Sequence, residues 1–187
     1  LQVDALQRLS GGASQETWSF DLVLEGGERV PLILRRAPEG VAQRAAGNAT
    51  LAVEAALAEA AARAGVPVPA IRLLLRPEHA LGEGFVMQRI SGETLGRRVV
   101  TDTRLAAARE QLARQCGQAL ARIHGVDVNA LPALRRAAPA VELAHYEAQY
   151  RSHGLHKPVF ELALRWLKTH APADNGRLGL VHGDFRN

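Results

Sequence analysis

Two residues near the end of the sequence, His182 and Asp184, have the types and the spacing that proton-transfer chemistry uses. They follow a short apolar run, Leu180-Val181, and a single glycine separates them. A carboxylate in a loop after an apolar strand can orient a substrate hydroxyl and accept its proton. The histidine is better suited to holding that loop by hydrogen bonds. The tripeptide alone is a weak signal, so its meaning depends on the rest of the chain.

A second candidate lies near the start, where Gly11 and Gly12 stand in the run LSGGASQETW between two expected strands. Glycines let a backbone approach a ligand closely, and the amides of such a turn can bind phosphate oxygens. An ordinary hairpin turn explains the same residues and, without other features, is the simpler interpretation. The run is neither a Walker A loop nor a dinucleotide fingerprint, because the spacing of each motif is absent.

Charged residues in apolar surroundings supply a third set of candidates. Arg35 ends the apolar run VPLILR, where a cation could bind phosphates, and the adjacent Arg36 should point to the opposite face. Glu54 lies in an alanine-rich segment and could pair with Arg35. The alternatives are a surface charge at a strand edge for Arg35 and a solvated helix face for Glu54.

The elements that must position these residues change type along the chain. Alternating or apolar runs, two of them joined by a Glu-Gly-Gly-Glu hairpin turn, predict strands first. The predicted strands cover 18–24, 30–35, 71–75 and 85–90, and a helix covers 48–64. Helical spacing then predicts helices over 103–124, 140–152 and 158–170, before a short extended run that leads to His182. Strands first and helices second indicate an α+β fold, with a domain boundary near Gly92.

Composition excludes several classes of protein. The 187 residues are 47% hydrophobic and 22% charged, which suits a folded domain and excludes a disordered chain. The net charge of +4 comes without a basic block, so we expect no nucleic-acid partner, whereas an anionic substrate such as a nucleotide fits. One cysteine, Cys116, suits a reducing cytoplasm, and no apolar stretch approaches the length of a membrane span.

The order of these features resembles the aminoglycoside phosphotransferase/choline kinase family. The runs that carry the resemblance are RLSGGASQETW, LILRRAP, GVPVPAIRLL, GFVMQRISGETL, LARIHGVD and LVHGDFR. They are most similar to the branch related to the kinase-like domain fused to some acyl-CoA dehydrogenases. The resemblance implies a protein-kinase-like fold, with an N-terminal nucleotide-binding lobe at 1–91 and a helical lobe at 92–187. It also implies transfer of the γ-phosphoryl group of ATP, or of GTP, with Mg²⁺, to a hydroxyl of a small molecule.

The resemblance gives each candidate a role. Asp184 would be the catalytic aspartate, and His182 would brace its loop. Arg35 would stand where kinases keep the phosphate-binding lysine, with Glu54 as its partner on the helix. Residues 10–17 would cover the ATP phosphates, and 86–90 would form the hinge whose backbone binds adenine. The nucleotide-binding residues expected in this way are Ser10, Gly11, Gly12, Ala13, Ser14, Thr17, Arg35, Glu54, Met87, Gln88 and Arg89.

Two departures from the family pattern matter. Arginine at position 35 keeps the charge and grips phosphate bidentately, but it is wider than lysine, and Arg36 is a second candidate. The family loop runs His-Gly-Asp-Phe-Arg-x-Gly-Asn, so Asn187 fills the variable position and the metal ligands would lie beyond it. No metal ligand is therefore expected within these residues, and a chain that stopped here would be a fragment with negligible turnover.

Two other functions fit the same sequence. A kinase-like module could bind a nucleotide or a protein partner without catalysis, although such a module has no need for the carboxylate of Asp184. A metal-dependent hydrolase could use His182 and Asp184, but no second cluster of histidines and carboxylates supports it.

Overall fold

The computed structural model describes residues 1–9, 15–38 and 50–185. Its five strands form one antiparallel sheet in the order β1-β2-β3-β5-β4. The strands are β1 (Gln2–Leu9), β2 (Glu16–Val23), β3 (Arg29–Arg36), β4 (Ile71–Leu74) and β5 (Gly84–Gln88). The helices are α1 (Leu51–Arg63), α2 (Gly96–Thr101), α3 (Ala106–His124), α4 (Pro139–Ser152) and α5 (Pro158–His170). This order confirms the predicted α+β class. None of the helices in the described ranges is long and apolar enough to span a membrane.

The predicted hairpin joins β2 to β3. Gly26 and Gly27 have φ values of +103° and +87°, which residues with a Cβ rarely adopt. The amide of Leu24 closes the turn by donating to the carbonyl of Glu28 at 2.9 Å. Pairing then continues in one register along both strands, so the register fixes which side chains share a face of the sheet.

Helix α1 covers the face of the sheet that carries Arg35. Arg35 of β3 pairs with Phe85 of β5, so their side chains point to the same face. Leu51 and Ala55 of α1 form a buried cluster with Phe85, whose exposure is only 2%. The helix is therefore held against the strand pair that positions Arg35.

Side-chain hydrogen bonds hold the start of α1, and a glycine follows its end. The side chain of Thr50 accepts a hydrogen bond from the amide of Val53 at 3.3 Å, and Glu83 accepts one from the amide of Leu51 at 2.8 Å. A carboxylate at this end also interacts favourably with the helix dipole. Gly65 follows the helix with a φ of +77°, the left-handed conformation that commonly terminates helices. The helix predicted from this segment is confirmed.

A second buried cluster joins α1 to α3. Its buried members are Ala61, Val66 and Ile123, and Leu180 packs against them. Arg122 of α3 also donates a hydrogen bond to the carbonyl of Gly65 at 2.8 Å. The segment that leads to His182 is thereby attached to the same body as the sheet.

The chain divides into two compact units, residues 1–133 with 179–187, and residues 134–178. The second unit contains α4 and α5. Within it, the rings of Tyr150 and Phe160 meet edge to face at 5.5 Å, and Arg151 pairs with Glu161. The division into a nucleotide-binding lobe at 1–91 and a helical lobe at 92–187 stays a prediction.

The apolar run before His182 does not form the short strand that the sequence predicts. Residues 178–182 are described but form no strand and pair with none of the five strands of the sheet. An extended run becomes a strand only when a neighbour satisfies its backbone groups. Leu180 is instead held by its side chain against the cluster of α1 and α3.

Candidate active site

β3 and α1 bring the predicted cation and carboxylate into contact. Arg35 lies near the end of β3, and Glu54 lies in the first turn of α1, over the same face of the sheet. Arg35 Nη2 is 3.3 Å from Glu54 Oε2, and the two side chains are 34% and 25% exposed. Because both charges are largely shielded from water, they interact more strongly than a pair on the open surface.

A third side chain, that of Gln15, completes this contact. Gln15 Oε1 accepts a hydrogen bond from Arg35 Nη2, and Gln15 Nε2 donates one to Glu54 Oε1 at 3.1 Å. The three side chains form a closed cycle, which we call the Gln15–Arg35–Glu54 ring. Gln15 is only 8% exposed, and no other polar side chain of the described ranges is buried to that degree.

Gln15 belongs to the segment that the family resemblance puts over the phosphates, but the sequence indicates no role for its side chain. Its partners lie 20 and 39 residues away along the chain, so no local pattern could reveal the contact. A glutamine just after a glycine-rich turn is an ordinary polar residue by sequence. Only the packing of α1 against β3 makes it the link between two charges.

An aromatic ring supports the guanidinium group of Arg35. The Cζ atom of Arg35 lies 5.6 Å from the centroid of the Phe85 ring. A cation over an aromatic face gains about 0.5–1 kcal/mol where it is partly exposed. Thr17, one of the predicted nucleotide-binding residues, pairs with Arg35 across β2 and β3. Arg35 is therefore held by an aromatic contact as well as by two polar partners.

Arg36, the second candidate for the phosphate-binding cation, points to the other face of the sheet. Its Nε donates to Glu16 at 2.8 Å, and its Nη1 donates to the carbonyl of Leu81 at 3.4 Å. The hydrogen bond from Arg36 lowers the pKa of the Glu16 carboxyl from its ordinary value. The sequence expectation that adjacent arginines face opposite sides is confirmed, and it separates Arg36 from Glu54.

The predicted hinge residues 86–88 end β5 within its pairing with β3, and Arg89 follows directly after the strand. Met87 pairs with a residue of β3, the Gln88 amide donates to the Ala70 carbonyl at 2.9 Å, and the Arg89 amide donates to the Pro31 carbonyl at 3.1 Å. These two amides are already used by the protein. An adenine held by Gln88 or Arg89 would have to use other backbone groups of the segment.

The side chain of Arg89 also binds the sheet. It donates to Ser19 at 2.8 Å and to Asp21 at 2.7 Å, both on β2. These two hydrogen bonds attach the start of the segment after β5 to β2, which lies far away in the sequence. Arg89 thus has an observed structural partner beside its predicted nucleotide-binding role.

The loop around Asp184 is held by contacts of His182. The amide of Asp184 donates to His182 Nδ1 at 3.3 Å, so the proton of a neutral His182 ring resides on Nε2. The ring of His182 also meets Phe185 edge to face at 5.3 Å. Gly183 has a φ of +76°, the conformation that lets the chain turn between the two residues.

The glycine-rich segment, residues 10–14, lies outside the described residues. The predicted nucleotide-binding residues of this segment are Ser10, Gly11, Gly12, Ala13 and Ser14. Their expected position over the phosphates therefore stays a prediction, as does the proximity of this segment to Asp184.

Comparison with known proteins decides the family. The model of the phosphotransferase enzyme family (APH) matches residues 5–187. The chain belongs to the phosphotransferase enzyme family. This confirms the membership predicted from the sequence motifs, and phosphotransferase-type activity is the chemistry that the family supports.

Two relatives of this phosphotransferase-family chain extend the comparison. It is 29% identical over 160 residues to mouse acyl-CoA dehydrogenase family member 10, covering 83% of this chain and 15% of the mouse protein. A Ralstonia eutropha structure solved as a "putative aminoglycoside phosphotransferase" superposes with a TM-score of 0.72 at 21% identity. That match covers 97% of this chain and 52% of the solved chain, and it shows the same fold. The chain thus spans only part of the length of either relative.

Phosphotransferases of this family generally use a divalent metal ion together with ATP. Among residues 1–9, 15–38 and 50–185, no three histidine, cysteine, aspartate or glutamate side chains lie close enough together to hold one.

Proposed function

We propose that this chain carries the nucleotide-binding and catalytic-loop part of an ATP-dependent phosphotransferase that acts on a hydroxyl of a small molecule. The observation that carries the proposal is the Gln15–Arg35–Glu54 ring. A permanently charged guanidinium is held there by a carboxylate from a helix and by a neutral amide. Family membership supports the general reaction, and the ring supports the residue that would hold the phosphates.

Arg35 is suited to binding the phosphates of a nucleoside triphosphate. A guanidinium has five N–H donors in a planar fork that matches phosphate oxygens. The two described polar contacts of Arg35 both use Nη2. The N–H groups on Nη1 and Nε are the donors that we assign to the phosphates.

Asp184 is suited to orienting the acceptor. In the proposed step the acceptor oxygen forms a bond to the γ-phosphorus, and the bond from that phosphorus to the β–γ bridging oxygen breaks. The acceptor proton passes to the Asp184 carboxylate, and the nucleotide leaves as the diphosphate. His182 holds the Asp184 backbone through the observed hydrogen bond, so it positions the loop without reacting.

Nucleotide binding is the first test. Isothermal titration of the protein with ATP, ADP and adenosine measures the contribution of the phosphates, with Arg35→Ala as the binding variant. We expect ATP to bind more tightly than adenosine and this preference to shrink in Arg35→Ala. Glu142, which pairs with Arg135 in the second unit, provides a matched control, and Glu142→Gln should leave the preference intact. Equal affinity for ATP and adenosine in the unmodified protein would contradict the proposal.

Phosphoryl transfer is the second test. A coupled ADP-release assay of the full-length protein should use a panel of hydroxylated acceptors. The panel should include an aminoglycoside, the class named for one relative, and a hydroxyacyl-CoA, the acceptor class that the resemblance to the acyl-CoA dehydrogenase branch favours. Asp184→Ala should retain ATP affinity and lose transfer. Nucleotide binding without transfer to any acceptor, under conditions where a homologous kinase is active, would favour the alternative of a non-catalytic nucleotide-binding module.

A further inference from the structure

Gln15 connects two groups of opposite charge through the two ends of one amide. Its carbonyl oxygen faces the Arg35 guanidinium, and its amide nitrogen faces the Glu54 carboxylate. The reverse orientation would place an NH₂ group against a cation and an oxygen against an anion. The two charges therefore decide which end of the Gln15 amide faces Arg35 and which faces Glu54.

The side chain at this position has to be a glutamine or a close equivalent. A glutamate would present an oxygen to Glu54 and could not donate to it unless protonated, and a methionine of similar length can offer neither bond. A buried polar group without partners costs about 1–3 kcal/mol. The amide of Gln15, in a residue that is only 8% exposed, has a partner at each end and so avoids this cost.

The ring also determines which part of Arg35 is available to a ligand. The Nη2 atom carries two hydrogens, and the ring offers two acceptors to it, Gln15 Oε1 and Glu54 Oε2. With Nη2 directed to the ring and the group resting over Phe85, rotation about the last bonds of the side chain is restricted. The N–H groups on Nη1 and Nε therefore keep fixed directions.

We propose that Gln15 is a positioning residue for phosphate binding: it locks Nη2 of Arg35 against Glu54 and so leaves the N–H groups of Nη1 and Nε directed to the nucleotide phosphates. This inference rests on the proposed function. The glutamine itself does not touch the phosphates, and its effect on them passes through Arg35.

The test compares ATP with adenosine in two variants of Gln15. Gln15→Glu keeps the shape and the acceptor but loses the donor, and Gln15→Met loses both hydrogen bonds. We expect each to weaken ATP binding about threefold to tenfold, the effect of one or two hydrogen bonds, and to leave adenosine binding unchanged. In an Arg35→Ala background neither change should weaken ATP binding further. Gln118→Glu, at an exposed position of α3, is the control for a change of the same type away from the ring.

Each outcome of this experiment has a distinct meaning. If Arg35→Ala weakens ATP binding but both Gln15 variants bind like the unmodified protein, the positioning role is wrong while the proposed function stands. Equal losses for ATP and adenosine, with a lowered melting temperature, would mean that Gln15 only supports the fold, and the inference would again be wrong. If the unmodified protein has no preference for ATP over adenosine, the proposed function fails and the inference fails with it. Should Gln15→Met not fold, the isosteric Gln15→Glu variant decides by the same comparison.

Discussion

Gly84 allows a sharp test of the strand packing that positions Arg35. Gly84 begins β5 and pairs with Arg36 of β3. A Cβ added at Gly84 would lie 2.4 Å from the carbonyl oxygen of Arg35 and 3.0 Å from the Cα of Arg36. Favourable contacts between non-bonded carbons lie at about 3.5–4.0 Å, so the backbones of the two strands would have to separate by about 1 Å.

The size of the effect follows from the atoms that obstruct the added methyl group. Overpacking a well-packed site costs about 1–3 kcal/mol, and here the obstruction is backbone that cannot change rotamer. We expect Gly84→Ala to cost about 3 kcal/mol of unfolding free energy. For a domain of this size, that corresponds to a fall in melting temperature of about 6–12 °C. Because the displaced carbonyl belongs to Arg35, the preference for ATP over adenosine should shrink in the same variant.

Two other glycines serve as matched controls in the same thermal unfolding assay. A Cβ at Gly92 or at Gly117 would meet no atom within 4 Å. Gly92→Ala should change stability by less than about 0.5 kcal/mol. Gly117 lies inside α3, where replacing glycine by alanine stabilises a helix by about 0.5–1 kcal/mol. A melting temperature of Gly84→Ala equal to that of Gly92→Ala would refute the close approach of β3 and β5 at this point.

Three further predictions concern the catalytic loop, the start of α1 and the second unit. Asp184→Asn should abolish phosphoryl transfer and leave the titrated ATP affinity within about twofold, since the carboxylate acts on the acceptor. Glu83→Ala removes the acceptor for the Leu51 amide at the start of α1 and should lower the unfolding free energy by about 1–2 kcal/mol, measured by urea denaturation. The Arg151 guanidinium holds the pKa of Glu161 below its ordinary value of 4.5, so this pair stabilises the fold above that pH and the contribution is lost as the pH falls through the lowered pKa. Helix content followed by circular dichroism should therefore decline less steeply on acidification in Glu161→Gln than in the unmodified protein.

The elements that the sequence predicted correctly depend on local information. The Gly26-Gly27 turn requires positive φ values that only glycine adopts easily, so the hairpin could be read from two residues. Helix α1 combines a strong helical composition with a terminal glycine. Nothing in the local sequence of Arg35 or of Glu54 fixes the other as its partner. The resemblance to the family is what makes their contact an expectation.

The features that the sequence did not predict depend on contacts between distant segments. The run before His182 has strand-like composition, but whether it pairs is decided by the edges of the sheet, and no edge reaches it among the described residues. The role of Gly84 depends on the distance between two strand backbones, which is set only when β3 and β5 pair. Gln15 belongs to the same class, because its function exists only after α1 has packed on the sheet.

The arginine at position 35 and the glutamine at position 15 are best understood as a matched pair. A lysine has all its donors on one nitrogen, so the atom that binds the supporting carboxylate must also bind the phosphate. An arginine separates these tasks, because Nη2 can serve the protein while Nη1 and Nε serve the ligand. That separation is useful only if Nη2 is held, and Glu54 alone offers it a contact of 3.3 Å. The amide of Gln15 supplies the second acceptor and fixes Glu54 at the same time. The replacement of lysine by arginine, which the sequence presents as a departure, is therefore accommodated by a residue 20 positions earlier in the chain.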